Sequence, residues 1–159
     1  MKKVLFAALL LLSSAAIVTS CNDDDNSAPV SQTPAADVAG TYIGSLNSVY
    51  IDPVTQEEVS NTVNATVELN EESKYVIGLS LESTDINKEG LANISAMSSL
   101  YPFTNKSTDE ANTFGVAFSG EVSGNICKLT YTEESTVRAG GRPRKVTTTY
   151  NFTGTKGLE

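Results

Sequence analysis

The sequence predicts an all-β fold, an antiparallel up-and-down meander of about eight strands that closes into a barrel. From Val38 onward, apolar and polar residues alternate with a period of two, which is typical of strands buried on one face. Short polar or glycine-containing groups separate these stretches, so that successive strands pair as hairpins. A single meander leaves two free sheet edges, which closure removes. A two-sheet β-sandwich is the alternative.

The first half of the domain contains three predicted strands. Gly40–Ile51 is rich in β-branched and aromatic residues and is followed by the turn signal Asp52-Pro53. Alternation over residues 59–69 predicts the second strand, with its polar residues facing solvent. The polar residues 70–73 predict a turn, after which the alternation resumes over residues 75–81.

The second half contains at least three more strands. Apolar positions predict them over residues 114–122, 127–131 and 146–152, with turns at residues 123–125 and 139–143. Residues 84–112 fit either a strand or a short helix, and we expect one or two strands there.

The amino-terminal residues have the layout of a secretory signal rather than of a structural helix. Lys2 and Lys3 precede an apolar run over residues 4–12, and small residues lead to the string Val18-Thr19-Ser20-Cys21. This string resembles the processing site of bacterial lipoproteins. The resemblance implies that residues 1–20 are a signal peptide and that acylated Cys21 attaches the protein to a lipid bilayer. A secretory signal cut without lipidation is the alternative.

Residues 21–37 are predicted to form a flexible, acidic tether behind the lipidated cysteine. Residues 22–26 contain three aspartates, and Pro29 and Pro34 interrupt a segment with few large apolar side chains. An acidic run in this place resembles the export tag of surface lipoproteins in the Bacteroidetes group. The resemblance implies an outer-membrane lipoprotein that faces the cell exterior. A solvated linker that is acidic by chance is the alternative.

Charge and cysteine content exclude some classes of function. The chain has 11 basic and 19 acidic residues, a net charge of −8, and removal of Lys2 and Lys3 with the leader changes this to −10. Binding to nucleic acid needs clustered positive charge, so we expect no nucleic-acid partner. Cys127 is the only cysteine besides Cys21, so we expect no disulfide within the domain and a core position for Cys127.

The two ends of the domain carry a second resemblance. Residues 38–46 read VAGTYIGSL and residues 150–156 read YNFTGTK. These stretches resemble the opening and closing strands of calycin-like domains, small lipocalin-like barrels of Bacteroidetes lipoproteins. The resemblance implies a calycin-like barrel over residues 38–156, in a family with no established activity for most members. Lipocalins proper stack an arginine on a tryptophan, and here Tyr42 and Lys156 would form that cation–π contact.

The residue types that common active sites need are missing or separated. The chain has no histidine, which excludes a Ser-His-Asp triad, a Cys-His pair and most zinc sites. Carboxylate pairs at residues 57–58, 71–72 and 133–134 are expected at strand ends or turns, where charge is solvated. The sequence therefore predicts neither an enzyme nor a metal site or cofactor.

Two groups of residues are candidates for binding. Inward aromatic and aliphatic side chains would either line a pocket for a small hydrophobic or amphiphilic ligand or form a solid core. They are Tyr42, Leu46, Val63, Val67, Ile77, Leu79, Phe114, Phe118, Leu129, Tyr150 and Phe152. A basic cluster near the last predicted turn would receive an anionic ligand or an acidic partner. It consists of Arg138, Arg142, Arg144 and Lys145.

Two functions are compatible with this sequence. The first is binding of a small hydrophobic or amphiphilic molecule inside a lipid-anchored barrel. The second is an interaction or inhibitor module, in which a filled barrel presents loops such as residues 138–145 to an envelope protein or a glycan. An enclosed cavity with an open mouth would favour the first function. A filled interior beside an exposed apolar patch would favour the second.

Overall fold

Eight antiparallel strands follow one another around a closed sheet in the order of the sequence. The computed structural model describes residues 33–105 and 112–157, so the predicted leader, Cys21 and the acidic run lie outside the described residues. The strands are β1 (Gly40–Ile51), β2 (Glu58–Ser73), β3 (Val76–Ser83), β4 (Asn87–Ile94), β5 (Leu100–Asn105), β6 (Phe118–Ser123), β7 (Ile126–Ala139) and β8 (Arg142–Lys156).

The barrel closes because the last strand pairs with the first. The β1–β8 ladder runs from Tyr42 opposite Lys156 to Val49 opposite Thr149. The predicted up-and-down barrel is therefore confirmed over the two-sheet sandwich. Residues 84–112, for which one or two strands were expected, contribute β4 and β5. No helix among the described residues is long and apolar enough to cross a bilayer.

The period of two decides which side chains fill the interior. In β2, Ala65, Val67 and Leu69 are buried, whereas Asn64 and Glu68 are exposed.

The turn between β7 and β8 is formed by two glycines. Gly140 and Gly141 both adopt positive φ angles, 60° and 76°, as a two-residue hairpin turn of the primed type requires.

The predicted turn at residues 70–73 is wrong. β2 continues through Ser73, with an irregular register between Glu71 and Ser73, and the turn lies at Lys74 and Tyr75. Tyr75 is consequently 54% exposed instead of belonging to β3. A solvent-facing strand end can be polar on both faces, so composition alone did not distinguish it from a turn.

A second boundary also differs, because residues 114–117 do not extend β6. They belong to an irregular segment that precedes Phe118, yet Phe114 is only 2% exposed. The segment is fixed to β4, since the Thr113 N–H donates to the Glu89 carbonyl over 2.8 Å. Phe114 therefore fits the alternating pattern of a strand, although it is buried from an irregular segment.

The helix α1 (Pro34–Val38) covers the end of the barrel at which β1 begins. Thr33 caps its first turn, and Ala35 and Val38 are buried in the core. The Tyr42 hydroxyl donates to the Val38 carbonyl over 2.7 Å. The predicted tether therefore ends before Pro34, and the predicted domain boundary at Val38 lies too late in the chain. Proline suits the first turn of a helix, because that turn leaves its N–H groups unpaired.

The expected contact between Tyr42 and Lys156 does not form. The Tyr42 ring is fully buried. The Lys156 side chain lies over Gly40 and occupies the space that a Cβ on residue 40 would need. Among the described residues, the cation–π contact is made by Lys74 on the Tyr75 ring, with 5.2 Å between the nitrogen and the centroid.

Candidate functional site

The eleven interior residues that were candidates for a ligand pocket pack against one another as a core. Val63 and Tyr150 are half-buried and lie against this core. The other nine are buried within it: Tyr42, Leu46, Val67, Ile77, Leu79, Phe114, Phe118, Leu129 and Phe152. Side chains from β1, β2, β3, β6, β7 and β8 thus meet in the middle of the barrel. The arrangement matches the solid-core alternative.

An aromatic cluster closes the core at the end opposite α1. The Phe114 and Phe118 rings lie 4.5 Å apart, and the Phe114 and Tyr131 rings meet edge to face at 5.1 Å. Tyr131 stacks on Tyr150 with 4.6 Å between the ring centroids. Each such pair contributes about 0.5–1.5 kcal/mol beyond its area burial. A molecule that enters the barrel from this end would have to displace these rings.

A charged pair lies beside the aromatic cluster. The Lys88 ammonium of β4 is 2.7 Å from the Glu133 carboxylate of β7, and the two side chains are 22% and 30% exposed. Lys88 also donates to the Thr113 carbonyl over 3.3 Å. Glu133 shares the inward face of β7 with Tyr131, since the two residues are two positions apart in the strand. The pair therefore joins strands on two sides of the barrel mouth.

Burial keeps the ionisable groups of the core neutral. It raises the pKa of the Cys127 thiol to about 12, so the thiol is not a thiolate nucleophile at neutral pH. Burial, together with the nearby Cys127, raises the pKa of Tyr42 to about 12. The pKa of Tyr131 is raised by burial and by the charge of Glu133. The core position predicted for Cys127 is confirmed.

The carboxylates of Glu133 and Glu134 do not face one another. Glu133 points into the barrel mouth toward Lys88, whereas Glu134 points outward, where it meets Lys145 at 3.3 Å. Adjacent residues of a strand face opposite sides, so a consecutive pair cannot flank one substrate. Within the described ranges, no group of three or more Cys, Asp or Glu side chains is arranged to hold a metal ion.

A groove of about 430 Å³ on the outer face of β2, β3 and β4 gathers four other carboxylates. They belong to Glu68, Glu72, Glu82 and Glu89. All four side chains are exposed, so water solvates their charges.

The first and last hairpins extend past the rest of the barrel and then separate. The β1–β8 ladder stops at Val49 and Thr149, whereas the β7–β8 ladder continues to Ala139 opposite Arg142. Residues 142–148 of β8 therefore have a ladder partner on one side only, among the residues that the structure describes. We call the space between these residues and Tyr50–Ile51 of β1 the gap.

A groove lies on each face of the gap. The inner groove has a volume of about 460 Å³ and is lined by Tyr50, Asp52, Pro53, Val54, Ser135, Val137, Arg138, Ala139, Gly140, Val146 and Thr148. The outer groove has a volume of about 620 Å³ and is lined by Ile51, Pro53, Gln56, Pro143, Arg144, Lys145, Val146 and Thr147. Their walls come from both hairpins, because the separation of β1 from β8 creates them.

The predicted basic cluster lies around this gap. Arg138 lines the inner groove, Arg144 and Lys145 line the outer groove, and Arg142 follows the hairpin turn. Lys145 pairs with Glu134 at the surface, a contact that contributes little because water screens both groups. Within the described part of the chain, the three arginines form no ion pair. Residues 138–145 thus form a locally basic hairpin tip in an acidic protein, with Asp52 on the facing wall of the inner groove.

Exposed apolar side chains accompany these charges. Ile51 is 50% exposed, Val54 is 65% exposed and Val137 is 38% exposed. All three border the gap, two on the inner groove and one on the outer groove. A patch that combines apolar side chains with arginine is typical of protein interaction surfaces.

Sequence reasoning found the basic half of this site and missed the apolar half. The sequence predicts Tyr50 and Val146 as strand residues only, without a role in binding, and makes no prediction for Val54. One signal was present, since strand-like residues continue for more than ten positions on each side of Gly140-Gly141. Strands of that length exceed the six to eight residues of β3 to β6, so this hairpin must project beyond its neighbours.

The fold and the site define the chain as a closed, eight-stranded antiparallel barrel with a filled interior and a basic, partly apolar gap at one end. Comparison with known proteins adds nothing further, because no family model, curated protein or solved structure matches the chain.

Proposed function

We propose that this chain is a lipid-anchored interaction module, in which a filled barrel presents the tips of the β1–β2 and β7–β8 hairpins to another protein of the cell envelope. The observation that carries the proposal is a packed interior beside an exposed, basic and apolar gap. The interior residues pack against one another, so a partner must bind the outer surface, and the surface around Arg138, Arg144 and Val137 combines open grooves with exposed apolar and basic side chains.

Binding of a hydrophobic molecule inside the barrel has less support. The entering molecule would have to separate the Phe114, Phe118, Tyr131 and Tyr150 rings, and it would also have to break the ion pair beside them. The hairpin tips need no such rearrangement, since their grooves are already open to solvent.

The position of α1 supports the same proposal. The helix places the amino-terminal side of the domain at the end opposite the β7–β8 turn. An acyl anchor on Cys21, followed by the acidic tether, would hold that end toward the bilayer. The gap would then face away from the membrane, where a partner reaches it. In this proposal the protein is a calycin-like lipoprotein of the Bacteroidetes type, exposed on the outer membrane.

Site-specific cross-linking tests the interaction. The photoreactive residue benzoylphenylalanine replaces Ile51 or Val137 at the tips, in cells that produce the full chain. Ile43 and Ile126 serve as matched controls, because they are exposed apolar strand residues away from the gap. We expect discrete cross-linked products from the tip positions alone. Products of equal yield from the control positions, or none from the tips, would contradict the proposal.

A second measurement tests the anchor separately. Cells grown with a labelled fatty acid should incorporate the label into the wild-type chain, and Cys21→Ser should abolish both the label and membrane retention. Labelling that persists in the variant would show that Cys21 is not the attachment site. That outcome would remove the anchor from the proposal without affecting the cross-linking result.

A further inference from the structure

We propose that the partner is recognised through an extended peptide segment that adds a strand to the free edge of β8 in the gap. The segment would alternate apolar and acidic side chains, with the apolar ones toward the inner groove and the carboxylates toward the outer groove. This inference rests on the proposed function and names the chemistry of the partner.

The first step of the argument is the edge itself. Residues 142–148 of β8 pair with β7 on one side, and β1 has left the other side after Val49. Every second residue of such a strand directs its backbone C=O and N–H away from its ladder partner, although Pro143 has no N–H, so the donors of this edge come from its other residues. The described residues supply no backbone partner for these groups. The edge is as long as an ordinary strand, so it can template a new one.

The second step is the position of the two grooves. Side chains of an added strand would point alternately to the two faces of the sheet. On the inner face they would meet Tyr50, Val137 and Val146, which are aromatic or aliphatic. On the outer face they would meet Lys145 and Thr147, whereas Arg144 lies opposite Val137 in the β7–β8 ladder and shares its inward face. The added strand should therefore carry apolar side chains on one face and carboxylates on the other.

The third step is charge, which favours this occupant over a second copy of the chain. Two copies joined through their β8 edges would bring Arg142, Arg144 and Lys145 close to the same residues of the other copy. Like charges on an edge oppose such pairing, which is a common protection of exposed strands. The same charges attract an acidic segment and align it.

Peptide titration of the full chain in detergent tests the inference. The ligand is an acetylated peptide of alternating glutamate and valine, as long as the free edge. One control peptide replaces glutamate with lysine, and another carries N-methyl groups on alternate amides, which removes backbone donors. We expect binding of the first peptide, measured by fluorescence anisotropy, to be about tenfold or more tighter than that of either control.

Hydrogen exchange locates the bound peptide. We expect slower exchange within residues 142–148 when the glutamate–valine peptide is present, with no change in β3. Lys145→Glu should weaken binding about tenfold, whereas the matched variant Lys74→Glu should not, because Lys74 lies in the β2–β3 turn at the other end of the barrel. Circular dichroism of both variants confirms that each is folded.

Three results would overturn the inference. The first is that the N-methylated peptide binds as tightly as the glutamate–valine peptide. The second is that none of the three peptides binds. The third is that the chain self-associates and that Lys145→Glu changes this self-association. In each case, cross-links from Ile51 and Val137 to another protein would leave the proposed function in place. Peptide binding without any cross-link in cells would instead contradict the proposed function.

Discussion

A single methyl group at Gly44 tests how closely β1 and β8 meet where the barrel closes. Gly44 lies opposite Gly154 in the β1–β8 ladder. A Cβ on Gly44 would stand 2.0 Å from the Thr153 carbonyl oxygen and 2.4 Å from the Gly154 Cα. Both are backbone atoms of β8, so no side-chain rotation can relieve the overlap. Gly44→Ala must therefore push the two strands apart.

Gly78→Ala in β3 is the matched control. A Cβ there would stand 2.8 Å from Glu72 Oε1, the end of an exposed side chain that can rotate away. Overpacking in a well-packed region costs about 1–3 kcal/mol, and the backbone overlap puts Gly44→Ala near 3 kcal/mol. Alanine in place of glycine restricts the unfolded chain, so we expect Gly78→Ala to change the free energy of unfolding by less than about 1 kcal/mol.

Thermal and urea unfolding of the two variants measure this difference. For a domain of this size, about 3 kcal/mol corresponds to a fall in Tm of about 10 °C. Gly44→Ala should show that fall, and Gly78→Ala should melt within a few degrees of the wild type. Equal stability of the two variants would refute the reasoning, because it would mean that β8 does not pack on β1 at Gly44.

Three further predictions concern the core. Tyr131→Phe should raise the free energy of unfolding by about 1 kcal/mol in urea titrations, since the Tyr131 hydroxyl is buried without a hydrogen-bond partner among the described residues; a loss of stability would contradict this. Burial raises the pKa of Cys127 from 9.0 and that of Tyr42 from 10.0 to about 12 each. The stability that the neutral thiol and phenol contribute should therefore be fully present below pH 9 and be lost as the pH rises toward 12. Cys127→Ala should remove the loss of stability between pH 9 and 10, and an identical pH profile of the variant would contradict this. Phe114→Ala should lose about 3–5 kcal/mol and increase the binding of a fluorescent hydrophobic dye, whereas unchanged dye binding would show that Phe114 does not close the core.

Local pattern was sufficient to predict the strands that are half-buried over their whole length. β1 spans the residues that its composition indicated, because Tyr42 and Leu46 face the core and Ile43 and Ser45 face solvent. The pattern failed at the ends of elements. The polar end of β2 is a strand because β3 pairs with it, and that cause lies outside the segment itself.

Phe114 and α1 show a second kind of limit. Phe114 is buried by contact with Phe118 and Tyr131, which is tertiary information, and a periodicity cannot separate such a residue from a strand. Ala35 and Val38 cover the end of the barrel, but five residues are too few to produce a helical period. Each of these features depends on where the barrel places its neighbours.

The gap depends on register between the two ends of the chain. The length and direction of each hairpin decide whether β8 pairs with β1 beyond Thr149. The alternating pattern around Val137 and Val146 is the same whether or not the two strands pair there. The basic residues were visible in the sequence because charge is a property of single residues. The free edge beside them is a property of two strands and was not predictable from either one.

The closing ladder also has a consequence for folding kinetics. Seven of the eight ladders join strands that are neighbours in the chain, so each closes a loop of no more than twelve residues. The β1–β8 ladder joins residues one hundred or more positions apart, and closing so long a loop costs about 4 kcal/mol in chain entropy. Local hairpins should therefore assemble first, and the barrel should become cooperative only when the carboxy-terminal strand reaches the amino-terminal one. A nascent chain without β8 would remain an open sheet, so the stable barrel is complete only after the last strand has been synthesised.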